Sequence, residues 1–292
     1  MLSSVIAVPP LARDASGTVC PEQNRRLVRH IESGGVRVLL YGGNAVFYHL
    51  RPSEYAGVLK MLAETAAPAT EIIPAAGPSY GVSMDQAAVL REFPFRTVMV
   101  LPHQGLNTPE GVATGLRHFA EAYGKPIVVY IKADGYLTPA LAASLVKDGL
   151  VSWIKYAIVR PDETNDPFLD DLTQLVDPAM IVSGMGEQPV LHHLRDRKLA
   201  GFTSGCVCVN PGLSAQMLAA CQAGDWDKAD QIRRAFQPLE DLRNTIHPVR
   251  VLHEAVTLAG IGDMGTITPL LSGLDDAQRS GVAKAARELL AV

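Results

Sequence analysis

The chain has 292 residues, 48% of them hydrophobic and 19% charged, enough for one large α/β domain or a domain with an appendage. Its net charge is -4 with a pI near 6.1, and no basic run or patch occurs, which argues against nucleic acid or an anionic membrane as partner. No stretch approaches ~18 uninterrupted apolar residues, and the opening segment lacks the charged and long apolar regions of a signal peptide, so a soluble, cytoplasmic protein is expected.

Short apolar runs predict strands at Val5–Val8, Val36–Tyr41, Glu71–Ala75, Thr97–Leu101, Pro126–Tyr130, Val151–Tyr156, Ala179–Ser183 and Gly201–Ser204. Their near-continuous apolarity suits parallel strands covered on both faces. Helices are predicted between them, because proline stands at a first-turn position in Cys20-Pro21, Arg51-Pro52, Thr108-Pro109 and Thr138-Pro139. Pro161 and Pro211 are expected to begin the sixth and eighth helices. Eight such units in about 220 residues fit a (β/α)₈ TIM barrel, which places its chemistry at the carboxyl ends of the strands. A doubly wound sheet is the alternative, but no G-x-G-x-x-G follows the first strand.

The barrel is expected to occupy residues 1–223. Residues 224–292 read as a C-terminal helical extension, with helices at Trp226–Arg243, Val249–Ala259 and Asp275–Leu290. Cys206-Val207-Cys208 lacks the second ligand pair of a zinc framework and reads as strand packing. His192, His193, His247 and His253 fall in helical contexts without metal-ligand partners, so no metal is expected.

Two polar side chains end consecutive apolar strands: Tyr130 closes Pro126–Tyr130, and Lys155 comes next to last in Val151–Tyr156. An amine and a phenol at neighbouring strand mouths suit imine chemistry on a carbonyl substrate. The amine attacks only when neutral, and the phenol can move protons. Desolvation at a barrel mouth would bring the lysine toward neutrality, at a cost of about 4 kcal/mol in stability. A strand-end lysine can also simply snorkel to water.

The span from Tyr130 to Lys155-Tyr156-Ala157 resembles the dihydrodipicolinate synthase/N-acetylneuraminate lyase family, as do the Gly-rich loop after strand 2, the Gly201–Gly205 strand and the tail around His247-Pro248-Val249. The resemblance runs nearly the whole length. It implies a class I, Schiff-base-forming aldolase or dehydratase of 2-oxo acids that needs no metal or organic cofactor. It makes Lys155 the imine-forming lysine and Tyr130 the proton-relay tyrosine. It implies a homo-oligomer, a tetramer by analogy.

In the family the loop after strand 2 holds the substrate carboxylate. Here it reads Gly42-Gly43-Asn44-Ala45-Val46, whose consecutive N–H groups around Gly43 and Asn44 can form an anion nest, with the Asn44 amide as a further donor. The same glycines also suit a tight turn. The family's loop after strand 7 touches substrate hydroxyls, which makes Gly184 and Glu187 candidates, while Thr203 on strand 8 is a further substrate-binding candidate. For Glu187, a favourable place at a helix start is the preferred reading.

Departures bear on the reaction. No arginine follows Tyr130, where dihydrodipicolinate synthase proper holds its second substrate; the chain runs Ile131-Lys132-Ala133-Asp134-Gly135. His103-Gln104 replaces the paired tyrosines of the strand 4 loop, leaving His103 as a candidate proton relay. Lys132 resembles the basic residue of keto-deoxy-sugar-acid dehydratases, and a solvated surface lysine is its plain alternative. The expected activity is a Schiff-base lyase on a 2-oxo acid such as pyruvate or a keto-deoxy sugar acid, not true dihydrodipicolinate synthesis. The alternatives are a phosphate-binding barrel using the loops after strands 7 and 8, or a degenerate member that binds a 2-oxo acid without turnover.

Overall fold

The structure is a computed structural model and describes residues 2–292. Eight parallel strands close into a barrel in chain order. They are β1 (Ile6–Ala7), β2 (Val38–Tyr41), β3 (Glu71–Ala76), β4 (Met99–Val100), β5 (Ile127–Ile131), β6 (Val151–Tyr156), β7 (Ile181–Ser183) and β8 (Gly201–Ser204), and β8 pairs back onto β1. The expected (β/α)₈ TIM barrel is therefore the fold. The barrel helices are α1 (Pro21–Ser33), α2 (Pro52–Thr65), α3 (Tyr80–Leu90), α4 (Pro109–Tyr123), α5 (Pro139–Lys147), α6 (Pro167–Leu175) and α7 (Pro211–Ala223). The prolines start α1, α2, α4 and α5 as anticipated, and Thr108 and Thr138 cap the last two by accepting from Gly111 and Leu141 N–H.

Where elements differ from expectation, local hydrogen bonds explain it. β1 is short because Val8 N–H still donates to Ser204 but Pro9-Pro10 offer no donors beyond it. Pro161 does not open α6: Asp162 folds a local turn by accepting from the Thr164 N–H and hydroxyl. Asp166 then caps the helix at Pro167, accepting from Leu169 N–H at 3.2 Å. A short 3₁₀ turn, Pro178–Met180, occupies the expected start of β7. Between β7 and β8 the chain makes only a π-helical turn, Leu191–Asp196. Cys206–Cys208 is a buried 3₁₀ turn after β8 rather than strand.

Beyond the barrel, α8 (Trp226–Thr245), α9 (Pro248–Leu258) and α10 (Asp276–Ala291) match the predicted helices to within two residues. Among the described residues no helix is long and apolar enough to cross a membrane, and no cluster of His, Cys, Asp and Glu is arranged to hold a metal ion.

Register decides which side chains face the barrel interior. Residues paired across parallel strands share a face, and faces alternate along each strand. The row Tyr130–Lys155–Val182–Gly201 runs through β5 to β8, with Lys155 opposite Tyr130 and Val182. Interior positions on these strands therefore include Tyr130, Lys155 and, two residues beyond Gly201, Thr203.

Candidate active site

Tyr130 and Lys155 are direct cross-strand partners near the carboxyl ends of β5 and β6. Lys155 is 5% exposed, so it does not snorkel to water, and its Nζ lies 4.6 Å from the centroid of the Tyr130 ring. Burial chiefly, then the charges of Lys132 and Arg243, lower the Lys155 pKa to about 7. A large fraction of its amines is thus neutral at neutral pH. Burial pushes the Tyr130 phenol above its ordinary value, so it stays protonated and enters any proton relay as a donor.

The wall beside the amine is closed by Gly184, just after β7. A Cβ there would come within 3.0 Å of Lys155 Cε and 2.8 Å of the Tyr156 carbonyl oxygen, so only glycine fits. Tyr156 points away from the interior: its hydroxyl donates to Asp166 at 2.5 Å, and its ring stacks on Phe168 and meets His193 edge-on. Burial lowers the His193 pKa to about 4, and its Nδ1 bonds the Ser183 hydroxyl at 2.8 Å. This histidine supports the β7 wall and does not reach the interior.

The loop after β2 approaches from the other side. Val46 holds φ 54°, a left-handed conformation costly for a β-branched residue, at the entrance to a 3₁₀ turn over Phe47–His49. Gly42 and Gly43 carbonyls accept from Phe47 and Val46 N–H. Among the described residues the N–H groups of Gly43, Asn44 and Ala45 have no partner, which leaves three consecutive donors for an anion. The Asn44 side chain spends one of its two amide N–H groups on the Val8 carbonyl, at 2.8 Å, and so ties this loop to the end of β1.

Lys132 and His103 sit at the rim. With Tyr48, Pro78, Pro102 and Gln104 they line a cavity of about 310 Å³. Lys132 is solvent-exposed, although the protein around its stem lowers its pKa. His103 is partly buried, and its Nδ1 is shielded without a hydrogen-bond partner. A larger cavity of about 670 Å³ lies between α3 and α4; His103 lines it but Lys155 does not.

Three features escaped the sequence. The half-buried Tyr48 and the buried Tyr136 join Tyr130 as a group of phenols, each raised above the ordinary tyrosine pKa by desolvation, and Tyr48 is raised further by the other two. The signal for Tyr48 was present, since it follows the glycine loop directly. The third feature is a buried ionic cluster. Arg243 donates to both Glu240 oxygens at 2.8 and 3.0 Å, and Glu187 lies fully buried nearby, accepting from Ser214 at 2.9 Å. Burial and the Glu240 charge push Glu187 toward its protonated form. Glu187 is thus no exposed helix-opening carboxylate, and the dipole reading of it is overturned. These acids also bear on phosphate binding: the Gly184 and Gly186 N–H groups are taken by the Tyr156 and Thr203 carbonyls, so the loop after β7 offers a phosphate few free donors.

A lysine pKa near 7 in the folded chain, against about 10.5 unfolded, is destabilising below pH 7, where the buried amine is charged; the cost of about 5 kcal/mol fades between pH 7 and 10.5. Lys155→Met should therefore raise the melting temperature at pH 6 and lose most of that gain by pH 10. Thermal melts across this range check it, and a gain independent of pH would contradict the assignment of a depressed pKa.

The comparisons with known proteins agree with this architecture. The model of the dihydrodipicolinate synthetase family matches residues 1–288. A curated relative from Leptothrix cholodnii, described as a probable 5-dehydro-4-deoxyglucarate dehydratase, is 25% identical over 96% of this chain and 93% of its own. A second of the same description, from Xanthobacter autotrophicus, is 24% identical over 94% of this chain and 90% of its own. Among solved structures, dihydrodipicolinate synthase from Bacillus clausii superimposes with TM-score 0.86 at 22% identity, covering 97% of this chain and 96% of that one. N-acetylneuraminate lyase from Fusobacterium nucleatum does so with TM-score 0.83 at 13% identity, covering 98% of each chain. At those identities the structural likeness speaks for the barrel alone, while the family match spans nearly the whole sequence and carries with it a lyase of the class I aldolase type. The chain belongs to the dihydrodipicolinate synthetase family.

Proposed function

We propose that this lyase dehydrates a keto-deoxy sugar diacid through an imine on Lys155. The observation that carries the reading is the buried Lys155 amine, with its pKa lowered to about 7, opposite Tyr130 in a barrel whose β2 loop leaves N–H groups free. The substrate's 2-oxo carbonyl meets the amine, and its carboxylate is held by the Gly43–Asn44 backbone. Attack by the amine and loss of water give the iminium, with Tyr130 donating the proton to the departing oxygen. The iminium withdraws electrons from the neighbouring CH₂, which loses a proton to the Tyr130 phenolate left by the previous step and forms an enamine. The enamine then expels the β-hydroxyl, which leaves as water on taking a proton from Tyr130, and a second water hydrolyses the resulting conjugated iminium, freeing the dehydrated 2-oxo acid and the Lys155 amine and returning the proton to Tyr130. Thr203 and Gly184 line the path of the chain, His103 stands near the departing groups, and Lys132 at the rim meets the far carboxylate.

The dehydratase reading, rather than aldol condensation, draws on the description of the two curated relatives and on the absence of an arginine after Tyr130. A homo-oligomer is carried over from the resemblance and a cytoplasmic location from the sequence pattern, and sedimentation and fractionation test them.

Borohydride with pyruvate or a longer 2-oxo acid should add one covalent adduct per chain, mapped to Lys155 by peptide mass. Undiminished adduct in Lys155→Ala would sink the assignment. Adduct without release of dehydrated product, for every keto-deoxy acid offered, would favour a binding protein instead.

Tyr130→Phe keeps the ring under the amine and removes only the hydroxyl. Turnover should fall by roughly 10²–10⁴, the range for a lost acid–base group, while the melting temperature stays close to wild type. Turnover at the wild-type rate would leave Tyr130 a packing role.

Lys132→Met should raise KM for the diacid far more than for the matching monoacid, in which a hydroxymethyl group replaces the far carboxylate. Condensation of pyruvate with aspartate semialdehyde should be negligible. Efficient condensation would overturn the choice of substrate even with the imine confirmed.

A further inference from the structure

The loop between β5 and α5 carries Lys132, and a side chain from a different loop ties it down. Arg160, four residues past the end of β6, donates from Nη1 and Nη2 to the two carboxylate oxygens of Asp134, at 2.6 and 2.9 Å. Its Nε donates to Asp166 Oδ1 at 3.0 Å. Asp166 has a side chain only 2% exposed; it caps α6 and accepts the Tyr156 hydroxyl. The anchor of the β5–α5 loop is thus rooted in the strand that carries Lys155. A planar guanidinium can grip one carboxylate with its fork and a second with Nε at fixed angles, which a lysine cannot. A wholly exposed single pair would be too weak to fix a loop, but this arginine is 18% exposed and held at both ends.

Lys132 itself has no ion-pair partner among the described residues. Asp134 lies two residues along the same loop, so a released Asp134 carboxylate would compete for that amine. We propose that Arg160 is a specificity-determining positioning residue: by gripping Asp134 it fixes the loop that presents Lys132 to the mouth, and it keeps that carboxylate from neutralising the amine a substrate's far carboxylate must meet. This rests on the role given to Lys132 above. Arg160 touches no substrate, and it acts only through Lys132.

The test is the ratio of KM for the keto-deoxy diacid to KM for the matching monoacid, measured in wild type, Arg160→Gln, Asp134→Ala, Lys132→Met and the Arg160→Gln/Lys132→Met double variant. Arg160→Gln should raise the ratio about tenfold, the size of a lost charge-assisted hydrogen bond. Asp134→Ala frees the loop without releasing an acid, so it should raise the ratio less. The double variant should match Lys132→Met alone. Borohydride trapping with pyruvate reports in each case whether the fold and Lys155 survive, and if Arg160→Gln does not fold, Asp134→Ala, which alters a 60% exposed side chain, carries the test. If Lys132→Met shifts the ratio but neither clamp variant does, the clamp is overturned while the function stands. If Lys132→Met leaves the ratio unchanged, the role of Lys132 falls and this proposal falls with it. A further rise in the double variant would show that Arg160 acts by another route and overturn the proposal.

Discussion

A lysine amine buried in the mouth of a β-barrel is the constraint around which the site is arranged. Taking an ammonium out of water is expensive, and the protein answers by letting the group shed its proton, with a pKa near 7. The surroundings then follow. The Tyr130 ring lies beside the amine, Gly184 leaves room for its stem where any Cβ would collide, and Lys132 and Arg243 add positive charge that further disfavours the ammonium. Arg243 is in turn held by Glu240, on a helix outside the barrel, so α8 contributes to the electrostatics of a strand-end residue.

In the proposed function, the mouth divides the labour of recognition by type of group. Backbone N–H groups after β2 offer a compact donor set, suited to the carboxylate adjoining a reacting carbonyl. An exposed ammonium at the rim suits a second, more distant charge. The strained φ of Val46 fits this picture, since a non-glycine residue in the left-handed region persists only where the surrounding structure imposes it. It turns the chain from these free N–H groups into the 3₁₀ turn that carries Tyr48.

Much of this was legible in the sequence. The barrel was readable because buried parallel strands are apolar on both faces and because proline marks first turns, and a polar residue ending an apolar strand stands out against that background. The Tyr130–Lys155 pairing was foreseeable for the same reason, as neighbouring strands of a barrel bring their ends together. What was hidden depended on partners distant in sequence. The Asn44 amide is committed to Val8, 36 residues away, and Glu187 is buried by contact with Ser214, 27 residues away. Pro161 carried a valid helix-start signal, but Asp162 folds a turn onto Thr164 and Asp166 caps the helix further along, at Leu169. The Arg160 clamp was invisible because it joins two loops whose meeting is set by barrel closure and not by sequence spacing.

The most direct measurement of the central claim is the protonation of Lys155 itself in the unliganded protein, followed by nitrogen NMR of a sample labelled at the lysine amines and assigned by comparison with Lys155→Met. The account predicts one amine that titrates near pH 7 and is missing from the variant. A Lys155 resonance that stays charged up to pH 10, in the range of an ordinary lysine, would contradict it.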